Sequence, residues 1–197
     1  MKMILWIASY PKSGNTWLRA LLSSYYFSND GNFKQSLLSN IEQFPQKKYF
    51  NNFDYNSKII TDTSRYWLKA QEDINKNGKI NFFKTHNILG AINNINFTNN
   101  KNTIGAIYII RDPRNVVTSL QNHYELSSNE ALEFMLNEKK YIFDHHVQND
   151  FSDFQFISSW EKNYKSWKYQ NEFPIKIVKY EDLTNDINAC FYEIIKF

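Results

Sequence analysis

The sequence predicts a three-layer α/β fold, in which a central, mainly parallel sheet is flanked by helices. Three observations predict it. Short runs are continuously apolar, two of them are followed by helical periodicity, and a turn-forming loop sits at each junction. Strands apolar on both faces suit a parallel sheet, and parallel strands need long crossover connections, usually helical. The chain has 197 residues, of which 42% are hydrophobic. That suffices for one buried core, and no boundary divides it, so residues 1–197 read as a single domain.

The first strand covers residues 4–9 and ends at Tyr10-Pro11-Lys12, because Pro11 cannot donate to a ladder. From Thr16 to Phe27, Trp17, Leu18, Leu21, Leu22, Tyr25 and Tyr26 recur at helical spacing and predict one buried face. Residues 28–60 are polar and weakly periodic. Ser39-Asn40-Ile41-Glu42 has the form of a capping box there, with Pro45 limiting any helix. Thr61 to Asn75 predicts a helix with Trp67, Leu68 and Ile74 inward and Asn77-Gly78 as its stop. A second short strand follows at 80–86, then a polar linker at 93–101 and a third strand at 104–110. Arg111-Asp112-Pro113-Arg114-Asn115 forms a second loop, and Val116, Val117, Leu120 and Tyr124 mark the helix after it. Two more helices are expected near 129–142 and 154–170, and a fourth strand over 175–180. A last helix over about 185–196 should bury Ile187, Cys190, Phe191, Ile194 and Ile195.

Net charge is +3, from 23 basic and 20 acidic residues. That balance is too mild for a nucleic-acid or membrane partner attracted by field alone. The one cysteine, Cys190, allows no intramolecular disulfide. The N-terminal apolar run is too short for an export signal or a membrane span. A cytoplasmic protein without a membrane span is expected.

Two loops carry chemistry. In Tyr10-Pro11-Lys12-Ser13-Gly14-Asn15-Thr16-Trp17 a helix starts at Asn15 or Thr16, with Gly14 allowing close backbone approach. Helix-start N–H groups, the Ser13 and Thr16 hydroxyls and the Lys12 ammonium make an anion cradle. The loop also reads as a plain strand-to-helix turn. It is not a Walker A loop, because Lys12 precedes Gly14. In the second loop Arg111 ends a buried strand, where its guanidinium can grip a phosphate with two bonds, and Ser119 lies further along the helix. A local Arg–Asp turn is the plainer alternative. In Phe82-Phe83-Lys84-Thr85-His86, Lys84 and His86 are two apart in a strand and project from one face. His123, His145 and His146 have no such context and read as surface or satisfied side chains. Phe44, Tyr66 and Trp67 read as core or as lining of an apolar pocket.

Tyr10–Trp17 resembles the 5′-phosphosulfate loop of the sulfotransferases, YPKSGTTW, departing from it only at Asn15. Arg111 to Ser119 resembles the same family's 3′-phosphate motif, RxPxxxxxS, and Lys84-Thr85-His86 its KTH segment. Ser159-Trp160 to Trp167 and then Lys179-Tyr180-Glu181-Asp182-Leu183 resemble its tryptophan-bearing helix and YEDL strand end. The resemblance implies a P-loop-like fold and the co-substrate 3′-phosphoadenosine-5′-phosphosulfate (PAPS), with 3′-phosphoadenosine-5′-phosphate (PAP) as product and no metal. By the same resemblance, Lys12 contacts the phosphosulfate, while Ser13, Gly14, Asn15 and Thr16 cradle the 5′-phosphate. Trp17 stacks on adenine with Tyr180 nearby, Arg111 and Ser119 hold the 3′-phosphate, and Lys84 and Lys12 stabilise developing charge. His86 is the general base. The resemblance implies a hydroxyl acceptor, on a small molecule, glycan, lipid or peptide tyrosine, and no transferable motif chooses among them. Family members continue through a further basic, glycine-containing loop, which this sequence does not contain, so the resemblance leaves three explanations open: a natural short form, a C-terminally truncated product, or another way of covering the site. A PAP or PAPS binder without turnover and a P-loop nucleotide kinase are the competing readings.

Overall fold

A computed structural model of the protein describes residues 2–143 and 150–197. Its strands are β1 (Ile4–Ser9), β2 (Glu42–Gln43), β3 (Asn81–Thr85), β4 (Ala91–Ile92), β5 (Ile95–Asn96), β6 (Thr103–Ile110), β7 (Tyr141–Ile142), β8 (Gln155–Phe156) and β9 (Ile175–Lys179). Its α-helices are α1 (Asn15–Phe27), α2 (Trp67–Asn75), α3 (Pro113–Tyr124), α4 (Ser128–Leu136), α5 (Trp160–Lys168), α6 (Tyr180–Asn185) and α7 (Ile187–Ile195).

Five strands form one sheet in the order β2-β3-β1-β6-β9, and every neighbouring pair is parallel. β1 takes the centre because it is apolar from Ile4 to Ala8: Ile4, Trp6, Ile7 and Ala8 have no exposed surface. The period of two along each strand sorts side chains to opposite faces. Trp6, Phe83 and Tyr108 join an aromatic face with Phe44 and Phe97, which Trp67 of α2 and Trp167 of α5 cover. Ile7, Ile107, Ile109 and Val178 form an aliphatic face, covered by Leu18 and Leu22 of α1, Leu183 of α6 and Ile194 of α7. The three layers follow directly. Phe44 and Trp67 are fully buried core residues, whereas half-buried Tyr66 stacks on Phe53. No described helix is long and apolar enough to cross a membrane.

Several elements differ from the sequence expectation, each for a local reason. No capping box forms at 39–42. Residues Gln35–Asn40 make a 3₁₀ turn, the chain then extends into β2, and Arg19 takes the Leu38 and Ile41 carbonyls. Among the described residues a capping box stands instead at Ser127 and Glu130, opening α4. The helix expected from Thr61 begins as a 3₁₀ turn, Asp62–Tyr66, where Ser64 bonds back to the Thr61 carbonyl. Within α2, Ala70, Gln71 and Asn75 are buried with Trp67, while Leu68 and Ile74 are only half-buried. The linker over 93–101 holds a hairpin: Asn93 and Asn94 both take positive φ, the requirement of a two-residue turn joining β4 to β5. The helices expected at 129–142 and 154–170 are shorter. Backbone N–H groups of Ile157 and Ser158 take the Lys140 carbonyl, and the freed segments pair as β7 and β8. An unexpected short helix, α6, stands directly before the last helix, α7, which falls where expected and is capped by the Asp186 carboxylate at the Ala189 N–H. Only Ile194 of its five apolar positions is fully buried. Tyr25 and Tyr26 at the end of α1 are exposed. His145 and His146 lie outside the described residues.

One buried side chain ties three elements to the site edge. Asn163 of α5 donates to the His86 carbonyl at 3.0 Å and the Ile157 carbonyl at 2.8 Å, and it accepts from the Tyr108 hydroxyl at 2.7 Å. Each buried group left without a partner costs about 1–3 kcal/mol. Asn163→Ala should therefore lower unfolding stability by about 3 kcal/mol, read from the midpoint of a urea titration at unchanged slope. A loss under 0.5 kcal/mol would show that the network carries little.

Candidate active site

In a parallel sheet all carboxyl ends lie on one edge, and ligands of open α/β sheets bind there. Here the loops after β1, β3, β6 and β9 meet around a cavity of about 1160 Å³. Lys12, Gly14, Asn15, Thr16 and Trp17 line it from the first loop, and Arg111 and Ser119 from the second. Lys84, His86 and Tyr180 complete this wall. Of the residues that the family motifs assign to the nucleotide or to the chemistry, Ser13 is the one that does not line it, and Phe44, Tyr66 and Trp67 do not line it either. Ser13 is buried, and its hydroxyl has no partner.

The first loop is shaped for an anion. Lys12 and Gly14 take left-handed backbone angles, φ 66° and 95°, on either side of Ser13. Such alternation bends successive N–H groups toward one concavity. α1 then starts with no side-chain cap and no acidic residue in its first turn, so its positive end is left uncompensated. Gly14 is required twice over: its φ disfavours any side chain, and a Cβ would lie 2.4 Å from the Tyr180 ring. The Asn15 side chain is engaged within the fold. Its side-chain NH₂ bonds the Ile7 carbonyl at 3.0 Å and Ser9 Oγ at 3.1 Å, locking α1 onto β1. What Asn15 offers a ligand is its backbone N–H.

The second loop is joined to the first. Arg111 donates to the Lys12 carbonyl at 3.1 Å and lies 4.5 Å over the Tyr180 ring. Its Nε is buried without a partner. Pro113 occupies the first turn of α3, and the Asp112 carboxylate caps the Arg114 N–H at 2.9 Å. Trp17 and Tyr180 meet edge to face, with centroids 5.4 Å apart.

His86 follows the last residue of β3. Its Nδ1 is 2.8 Å from the Ser9 carbonyl, which can only accept, so Nδ1 carries the proton and Nε2 keeps a lone pair. Burial and then the Lys84 charge hold its pKa well below the usual histidine range. At neutral pH it is a neutral base in a fixed tautomer. Lys84 donates to Gln43 Oε1 at 3.0 Å, and its pKa is pushed down to about 8 by burial and then by Arg19. Burial and then Arg111 lower Lys12 as well. The charges acting on Lys12, Lys84 and His86 are thus all cationic. A multiply charged anion is the ligand that would relieve this arrangement. Among the described residues, no group of three or more His, Cys, Asp or Glu is placed to hold a metal ion.

Sequence reading missed Ser9, Arg19, Gln43, Gln155 and Asn163. Gln155 Oε1 accepts from the His86 N–H at 2.7 Å, a contact across 69 positions. Gln43 sits in a stretch without periodicity, and only its pairing opposite Lys84 reveals it. Arg19 carries a usable signal, a charge beside the apolar stripe of α1. His123, read as a surface side chain, is exposed and forms part of the far cavity wall.

Two loops rich in free donors meet on the carboxyl edge of a parallel sheet, beside a cationic centre and a neutral histidine, and this is an α/β protein whose sheet edge is suited to an anion. The sulfotransferase domain model matches residues 3–197, and the chain belongs to that family. It is 22% identical over 194 residues to luciferin sulfotransferase of Photinus pyralis, covering 97% of this chain and 50% of that protein. Its fold is similar to the crystal structure of retinol dehydratase in a complex with retinol and PAP. There the TM-score is 0.51 at 18% identity, over 98% of this chain and 59% of the other. The chain thus spans about half the length of the curated relative it matches.

The depressed Lys84 pKa has a sign that can be checked. The unfolded chain holds that proton up to the ordinary lysine value of 10.5, whereas the folded protein releases it near 8. Burying the charge therefore costs stability below pH 8, and the cost fades as pH rises from 8 to 10.5. Lys84→Met should be more stable than the parent at pH 7, by roughly 2–3 kcal/mol, with the gain vanishing by pH 10.5. Urea titrations of both proteins from pH 7 upward measure it, and a variant less stable at pH 7 would contradict the reading.

Proposed function

We propose that this chain transfers a sulfuryl group from PAPS to a hydroxyl acceptor and releases PAP. The observation that carries the reading is His86 itself. A neutral imidazole with Nε2 free shares one cavity with Lys12, Lys84 and two anion loops. Family membership and the likeness to a fold bound to PAP support it.

The residues fit the donor. The orphaned Ser13 hydroxyl and the buried Arg111 Nε are donors awaiting acceptors. In this reading Ser13, Thr16 and the backbone N–H groups of Gly14 and Asn15 hold the 5′-phosphate. Arg111 and Ser119 hold the 3′-phosphate, and Trp17 and Tyr180 the adenine. Bound PAPS would supply an electrophilic sulfur and a phosphate leaving group. His86 Nε2 takes the proton of the acceptor hydroxyl as the new O–S bond forms and the S–O bond to the 5′-phosphate breaks. Lys12 and Lys84 counter the charge that gathers on the bridging oxygen. The acceptor is proposed as a small hydroxyl compound, the class that luciferin and retinol exemplify for the two similar proteins, with glycan or lipid hydroxyls as wider options. The single cysteine points to the cytoplasm as the setting.

Calorimetric titration with PAP and with ADP, which lacks the 3′-phosphate, is the direct test. PAP should bind at least tenfold more tightly. His86→Ala should then lower sulfuryl transfer by about 10²–10⁴-fold while PAP affinity stays within about threefold. Binding with no His86-dependent transfer would indicate a nucleotide binder without turnover. Equal affinity for PAP and ADP, or preference for magnesium-ATP, would overturn the proposal.

A further inference from the structure

The dipeptide Tyr180-Glu181 stands where β9 passes into α6, and its contacts reach both anion loops. Tyr180 closes on Gly14 so tightly that no Cβ fits there. It also meets Trp17 edge to face and lies beneath the Arg111 guanidinium. Glu181 Oε1 accepts the backbone N–H of Asp112 at 3.0 Å, across 69 positions of sequence. The Asp112 carboxylate is engaged with Arg114 and the start of α3, so this N–H has its acceptor from another element.

A carboxylate beside an anion-binding loop is electrostatically unfavourable for the anion. Its charge therefore does not explain it, and its hydrogen-bond acceptor does. The sheet order explains the reach: β9 lies next to β6, and Ile110 of β6 pairs with Lys179 of β9, immediately before the two loops. Arg111 and Asp112 are thus opposite Tyr180 and Glu181.

We infer that Glu181 is a positioning residue for the 3′-phosphate loop, acting through the Asp112 N–H to hold Arg111 aimed into the cavity. Together with Tyr180 it sets the spacing between the loop that takes the 5′-phosphate and the loop that takes the 3′-phosphate. The inference rests on the proposed nucleotide function. It makes selectivity for the 3′-phosphate depend on a residue that touches no ligand.

The test compares Glu181→Gln, which keeps an Oε1 acceptor and removes the charge, with Glu181→Ala, which removes both. PAP and ADP are titrated into each full chain, and the thermal midpoint is measured alongside. In Glu181→Ala the preference for PAP over ADP should fall about tenfold, the worth of one such bond, with ADP affinity within about twofold. In Glu181→Gln the preference should be kept or increased. If the alanine variant does not fold, Glu181→Asp, one methylene short of Asp112, should show the same loss. Without any nucleotide, exchange of the Asp112 amide should speed up at least tenfold in the alanine variant and stay slow in the glutamine variant. Unchanged preference in the alanine variant, equal weakening of PAP and ADP, or a glutamine variant that behaves like alanine would overturn the inference. If the parent itself does not distinguish PAP from ADP, the nucleotide reading falls, and this inference falls with it.

Discussion

The parallel register of β1 against its two neighbours is the constraint on which the rest depends. Ala8 pairs with Thr85, so the next residues, Ser9 and His86, emerge side by side. The 2.8 Å bond from His86 Nδ1 to the Ser9 carbonyl closes that gap. On the other side Ser9 pairs with Ile109, which brings Arg111 to the same edge two residues later. A one-residue slip would turn Lys84 and His86 to opposite faces from their present ones. The register is held by burial: Trp6 packs on Phe97, Phe44 and Phe83, and its indole N–H reaches Thr103 at 2.9 Å.

The site is costly to build. Lys12 adopts a left-handed backbone without being glycine, a strain of roughly 1–2 kcal/mol. Lys84, Arg19 and Arg111 gather positive charge where water is partly excluded. These costs are tolerable because the aromatic face below is dense, with Trp6, Trp67 and Trp167 all fully buried. Stored strain and unmatched cations favour whatever anion completes the site.

The far side of the cavity has a different character. Its walls come from Phe33, Leu38, Gln46 and Lys47 and, opposite, from Ile142, Asp150 and Ser152. The ion pair between Lys47 and Asp150, at 2.7 Å, links the two sides. These segments carry 3₁₀ turns, loops and a two-residue ribbon rather than long elements. Loops on a rigid scaffold can vary their ligand contacts without disturbing the sheet.

Much of the fold was legible because its signals are local. Continuous apolar runs marked β1 and β6, an Ile- and Val-bearing segment marked β9, periodicity marked α1 and α3, and the loop residues Lys12, Gly14, Arg111 and His86 stood in recognisable order. The hairpin at Asn93-Asn94, the β7–β8 pair and the short strand β2 were not legible. Each has two residues per strand, too few to show a period, and β2 and the β7–β8 pair also depend on partners distant in sequence. Within the site, the order of the residues and their resemblance to the family's motifs singled out the two loops, Lys84 and His86. Only the tertiary structure decided that Asn15 turns inward, that Gln43 meets Lys84, that Ser9 sets the tautomer of His86 and that Glu181 braces Asp112. These are pairings across 6 to 77 positions, made by sheet register and helix packing, and no periodicity within a single segment encodes them.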